Sequence, residues 1–171
     1  MTSFEENAAM QSNSQATTGV IEQNLAAQGI TVHVPAPGVA NYLGFARSGN
    51  LLFVTGQACF DPQGELLFEG KVGDEVTMEQ GIAAARVCGL NLLAQVKAAI
   101  GDLDKVVRVI RIGGYVASAP DFFALPTILD GASDLMVQVF GDKGRHARTT
   151  IGVANLPGNA AVEVDAVFEV V

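Results

Sequence analysis

Apolar residues recur along this chain with two different periods. Val20, Ile21, Leu25 and Ala26 fall at helical spacing and Gly29 follows as a stop, which predicts a short helix over about Thr18 to Gln28. A second helix is marked more strongly. Thr77-Met78-Glu79-Gln80 is a capping box, in which Thr77 accepts from the amide at Gln80 and Gln80 reaches back. The helix behind it should run to about Ile100, with Ile82, Ala85, Gly89, Leu93, Val96 and Ile100 on one stripe. That stripe needs a sheet to lie on, and Gly89 allows a close approach. Gly101-Asp102 ends the helix.

The remaining apolar runs read as strands. Asn41 to Arg47 and Leu51 to Gln57 flank a Ser48-Gly49-Asn50 turn, and Glu65 to Phe68 follows the turn Asp61-Pro62-Gln63-Gly64. Lys105 to Ala117 is a nearly continuous β-branched run, the pattern of a strand buried on both faces. Pro126 and Gly131 lie inside the next helical segment, so that helix is expected from about Thr127 to Phe140. Arg148 to Leu156 and Ala161 to Val170 read as a closing hairpin turned by Pro157-Gly158-Asn159. In its last strand Val162, Val164, Ala166, Phe168 and Val170 face one way, and Glu163, Asp165, Val167 and Glu169 the other. The order of strands, helix, strand, helix and hairpin is an α+β arrangement, with two helices on one face of a mixed sheet. The opposite face would be bare, and a chain this apolar should cover it by self-association.

Length sets the domain count. The chain has 171 residues, which favours one domain. Residues 1–17, rich in Ser, Thr, Asn and Gln, read as a flexible tail. Residues 18–171 then form a single domain, with a helix and the Pro35-Ala36-Pro37-Gly38 linker over 18–38 and the core over 39–171. The formal net charge is −8, which disfavours phosphate backbones and anionic lipid, so neither nucleic acid nor membrane is expected as a partner. The start carries Glu5 and Glu6 and no apolar run, so no signal peptide is read there, and a cytoplasmic setting is the default expectation. Cys59 and Cys88 fit no metal or disulfide spacing and read as buried small hydrophobes.

Few residues are left for chemistry. There is no phosphate loop, no HExxH and no GxSxG, and His33 and His146 are the only histidines. What stands out is a cluster near the C-terminus: Arg145, His146, Arg148, Thr149 and Thr150, then Glu163 and Asp165. As hairpin partners, Arg148 and Glu163 would lie about 5 Å apart on one face, either as a surface ion pair or as the edge of a carboxylate site. His146 reads as a loop cap, or as an acid beside that site.

Four motifs in order give the chain a resemblance. Ala147-Arg148-Thr149-Thr150 running into Leu156-Pro157, the strand Ala161-Val162-Glu163-Val164-Asp165-Ala166, Thr55-Gly56-Gln57, and Tyr42 upstream resemble the RidA/YjgF family of reactive-intermediate deaminases. Asp130-Gly131-Ala132-Ser133-Asp134-Leu135 and Gly144-Arg145-His146-Ala147-Arg148 resemble a longer subgroup with an N-terminal helix. The resemblance implies a chorismate-mutase-like fold, a six-stranded sheet backed by two helices, assembled as a homotrimer with ligand sites in the clefts between subunits. It implies hydrolysis of 2-imino acids to 2-keto acids and ammonia. Arg148 would hold the substrate carboxylate, the backbone at Thr150 and near Gly56 would add polar contacts, Tyr42 would close the pocket from the same subunit or a neighbouring one, and Glu163 would orient and deprotonate water. No cofactor and no metal are implied, because a protonated imine is already an electrophile. Two alternatives come with it: a non-catalytic trimer that binds small carboxylates, and the family's older label of endoribonuclease. The −8 charge and 6% aromatic content oppose the latter.

Overall fold

The computed structural model describes residues 19–35 and 41–171. The expected tail and residues 36–38 of the expected linker lie outside them. The elements are α1 (Val20–Ala27), β1 (Phe45–Ser48), β2 (Leu51–Ala58), α2 (Met78–Ile100), β3 (Val106–Ala117), α3 (Leu125–Phe140), β4 (Ala147–Val153) and β5 (Val162–Val170). Among the described residues, five strands and not the expected six form one mixed sheet, in the order β1-β2-β5-β3-β4. The segment Glu65 to Phe68, expected as a strand, contributes only an isolated bridge between Phe60 and Leu66. Asn41 to Gly44, read as the start of the first strand, are an irregular approach to β1.

The capping box forms as expected: Gln80 N donates to Thr77 Oγ1 at 3.2 Å, and Thr77 N donates to Gln80 Oε1 at 2.9 Å. Gly101 closes α2 in the left-handed region at φ 79°. More of α2 is buried than one stripe. Ala84, Cys88 and Leu92 are buried together with Ala85, Gly89, Leu93, Val96 and Ile100, because α2 is covered by the sheet and by α3. Gly89 serves the helix contact, not the sheet: a Cβ there would meet Leu135 Cδ2 at 2.9 Å and Ala132 Cα at 3.5 Å. Gly131 of α3 is tighter still, since a Cβ there would collide with the carbonyl oxygen of Ile82. By length and composition α2 is apolar enough to cross a membrane, yet it packs as the core helix of this fold.

α3 is neither broken nor late. It begins at Leu125, and Pro126 sits in its first turn, where the missing N–H is not needed. α1 is tied to the helix layer by Asp104, whose carboxylate accepts from Val20 N at 2.7 Å and Ile21 N at 2.8 Å. Lys97 and Glu22 pair at 3.1 Å beside it, and Leu25 enters the core.

The pairing of the last two strands differs from the expected hairpin. β4 runs parallel to β3, and β5 lies antiparallel between β2 and β3. A parallel pair needs a crossover, and α3 supplies it. The turn at Pro157–Asn159 does not close a hairpin. It is drawn aside to the loop before α2, where Gly70 N donates to Asn159 O at 2.9 Å and Ala161 N to Phe68 O at 3.1 Å.

β3 is not buried on both faces. Val106, Val109, Ile112 and Val116 are buried in the core beneath the helices, whereas Arg108 is exposed and Arg111 and Tyr115 are half-buried. Register shifts between Val106 and Arg108 and between Val109 and Arg111 interrupt the alternation, which is why the sequence reads as one apolar run. The face opposite the helices is open. Leu51, Phe53 and Ile151 lie on it, 38%, 45% and 45% exposed.

Candidate functional site

The register sorts the expected site residues onto two faces. Ile112 pairs with Arg148 and with Ala166, and Gly114 pairs with Thr150 and Val164. These positions share the helix face, since a Cβ at Gly114 would touch Leu129 of α3 at 2.7 Å. Tyr115 pairs with Glu163 and Ile151, and Gly113 with Asp165 and Thr149, on the open face. Arg148 and Glu163 therefore do not face each other within one chain, and β3 lies between their strands.

On the open face, β2 bulges between Val54 and Gln57. Gly56 lies in that bulge, and the Glu163 carboxylate occupies the place a Cβ would take. This accounts for glycine in Thr55-Gly56-Gln57. Thr55 fixes the preceding loop: its N donates to Gly44 O at 3.0 Å and its Oγ1 to Leu43 O at 2.7 Å. Tyr42, 56% exposed, is carried on that loop. Burial, and to a lesser degree the charge of Asp165, raises the Glu163 carboxyl above its ordinary value. Asp165 accepts from Arg111 Nη1 at 3.0 Å and from the Tyr115 hydroxyl at 2.9 Å. The bond to Asp165 pushes the Tyr115 phenol up. The sequence pattern does not mark Arg111 and Tyr115, because an apolar run hides polar residues that a bulge turns outward. They line a cleft of about 80 Å³ with Gly113, Gly114, Thr149 and Ile151.

On the helix face, Arg148 Nη1 donates to Asp130 Oδ1 at 2.7 Å and to Ser133 Oγ at 3.2 Å. Asp130 and Ser133 project from α3, one turn apart. Both hydrogens of Nη1 are thereby engaged. Among the described residues, the edge formed by Nε and Nη2 takes no protein partner, and it is a two-donor fork of the kind that matches a carboxylate. Ser133 Oγ is also 3.0 Å from His146 Nε2, and His146 Nδ1 is 2.6 Å from Gly144 O. Burial is the main cause that lowers His146 below the ordinary imidazole value, with the Arg148 charge adding to it. Thr150 is half-buried two residues beyond Arg148 on the same face.

Cys59 and Cys88 are both fully buried, as their composition suggested. A hydrogen bond from Cys88 lowers the Cys59 thiol to about 7, and burial pushes Cys88 well up. Neither reaches solvent, so neither is an accessible nucleophile. Among the described residues, no three of His, Cys, Asp and Glu converge as metal ligands would.

A mixed sheet with two long helices on one face and an arginine on its parallel edge strand is the chorismate-mutase-like α+β fold. A family model described as "YjgF/chorismate mutase-like, putative endoribonuclease" matches residues 22–170, and the chain belongs to this family. Protein TCP17 of Trypanosoma cruzi is 42% identical over 153 residues, which is 89% of this chain and 95% of that protein. The crystal structure of the protein Atu1372 from Agrobacterium tumefaciens, described as of unknown function, is 46% identical with a TM-score of 0.81, over 89% of this chain and 94% of that one. TdcF of Escherichia coli, solved with bound serine, is 21% identical with a TM-score of 0.59, over 81% of this chain and 94% of that one, a likeness of fold alone.

Proposed function

We propose that the protein hydrolyses 2-imino acids to 2-keto acids and ammonia, at clefts shared between copies of the chain in a homotrimer. The observation that carries this reading is the open Nε–Nη2 edge of Arg148, whose other nitrogen is pinned by Asp130 and Ser133. Pinning one nitrogen orients the fork before a ligand arrives, which removes part of the ordering cost of binding. A substrate carboxylate would take that edge, and the backbone at Thr150 would add a contact. Glu163, Gly56 and Tyr42 lie apart from Arg148 in one chain, so the cleft would draw them from a neighbouring copy. The exposed Leu51, Phe53 and Ile151 favour such an assembly.

The chemistry follows from the groups. Glu163, as carboxylate, takes a proton from water while the water oxygen adds to the imine carbon. The resulting tetrahedral carbinolamine receives that proton on nitrogen. The C–N bond then breaks, ammonia leaves, and the hydroxyl loses its proton to give the ketone. The raised Glu163 carboxyl suits a group that must accept a proton and return it. The bound serine of TdcF is a small amino acid of the same size class as these substrates.

Ketoacid release in a coupled serine or threonine dehydratase assay tests the reading. Added protein should speed release, and Arg148→Ala should not. An identical rate with wild type, with Arg148→Ala and with no protein would overturn it. A second reading, a trimer that only binds small carboxylates, is favoured by the separation of the anchor from the base within one chain. It predicts saturable 2-ketobutyrate binding without any rate effect. The endoribonuclease in the family description is opposed by the −8 charge.

A further inference from the structure

The helix-face cluster contains a histidine that the imine chemistry does not use, and a hydroxyl that it uses only to hold Arg148 in place. Ser133 Oγ stands 3.0 Å from His146 Nε2, and His146 Nδ1 stands 2.6 Å from the Gly144 carbonyl oxygen. A carbonyl oxygen can only accept, so Nδ1 carries the ring proton and Nε2 is left with its lone pair. The Ser133 hydroxyl therefore donates to Nε2. The Gly144 carbonyl is held firmly, because Gly144 packs directly on the backbone of Met136 in α3, with no room for a Cβ. Arg148 Nη1 donates to the same Ser133 oxygen at 3.2 Å, so a positive charge lies beside the hydroxyl and favours its ionised form as its proton leaves. The two nitrogens left over on Arg148 form the carboxylate fork.

We propose that Ser133 is a nucleophilic hydroxyl, activated by His146 and charge-stabilised by Arg148, that accepts acyl groups from small esters bearing a carboxylate. A nucleophile, a base within hydrogen-bond reach and a third group orienting the base are the three parts such a centre requires. Burial keeps His146 neutral at neutral pH, in the form that can take a proton. In the first half-reaction Ser133 Oγ bonds to the ester carbonyl carbon and its proton moves to Nε2. The bond from that carbon to the alkoxide oxygen breaks, and Nε2 returns the proton to the departing alcohol. Water repeats the sequence on the acyl-serine and releases the acid. The net change is ester plus water to acid plus alcohol, with no oxidant or reductant. The site shares Arg148 with the proposed imine chemistry but does not depend on it.

Diisopropyl fluorophosphate tests the nucleophile directly, by intact mass and peptide mapping of the whole protein. Wild type should gain one phosphoryl group, on Ser133. Ser133→Ala should gain none, and His146→Gln should label about 10²-fold more slowly, with melting curves recorded to show that both variants are folded. Thr127→Ala removes another hydroxyl of α3 and should label as wild type does. No adduct on wild type, or an equal labelling rate in His146→Gln, overturns the proposal. Hydrolysis of mono-4-nitrophenyl succinate against 4-nitrophenyl acetate reads the carboxylate preference. That preference should vanish in Arg148→Gln, and equal rates for the two esters with wild type would overturn the assigned substrate class.

Discussion

Arg148 on β4 and Glu163 on β5 point to opposite faces of one sheet, with β3 between their strands. Each is built into its own setting: Arg148 is pinned by Asp130 and Ser133 of α3, and Glu163 fills the bulge at Gly56. Under the chemistry proposed for them, the two can act on one substrate only where two copies of the chain meet.

Glu163 is held with its carboxyl raised, chiefly by burial. A carboxyl raised in the folded state favours folding while protonated, and that contribution is lost as pH rises through the folded value. At neutral pH the ionised group is therefore a cost. Glu163→Gln should melt at a higher temperature than wild type at pH 7, and the gap should close below the ordinary carboxyl range. A lower melting temperature for the variant at pH 7 would contradict the raised value. Groups held at a cost in stability are common at functional sites.

Gly56→Ala places a methyl group where the Glu163 carboxylate now sits. The obstacle is the far end of a flexible side chain, so the chain can yield at a cost of about 1 kcal/mol. The carboxylate, however, must leave its place. Imine hydrolysis should fall about 10²-fold with little change in the urea midpoint. Full activity in this variant would show that the placement of Glu163 in the bulge is unimportant.

Gly131→Ala tests the opposite case. The added Cβ would collide with the carbonyl oxygen of Ile82 and crowd the amide of Arg86, backbone atoms that cannot swing aside. α2 and α3 would have to separate, at roughly 1–3 kcal/mol. Urea denaturation should show a lower midpoint with an unchanged slope. An unchanged midpoint would mean that the two helices are not in contact at this position.

Much of this structure was legible from local pattern. The capping box at Thr77–Gln80, the left-handed stop at Gly101 and the alternation of Val162 to Val170 depend on near neighbours, and each appears where the chain indicated. Strand pairing was not legible in the same way. Pro157-Gly158-Asn159 carries the chemistry of a hairpin turn, yet long-range bonds to Phe68 and Gly70 pull that segment aside and leave β3 between β4 and β5. The same limit hid the site. Arg111 and Tyr115 reach the open face through bulges that leave no local signature, and the hydrogen bonds Ser133–His146 and Asp130–Arg148 join α3 to β4 and its approach across 13 and 18 residues. Thr55-Gly56-Gln57 was recognisable as a motif, but its physical reason, the room it gives Glu163, appears only when β2 and β5 are side by side.

Subunit mixing tests the composite cleft most directly. Arg148→Ala and Glu163→Gln are each expected to lack imine hydrolysis alone. Denatured together in equal amounts and refolded as mixed assemblies, they should regain activity in about a quarter of the clefts, those that pair an intact Arg148 with an intact Glu163 from the neighbour. Mixtures that stay as inactive as the two separate variants, while wild type treated in the same way recovers, would contradict a site shared between copies.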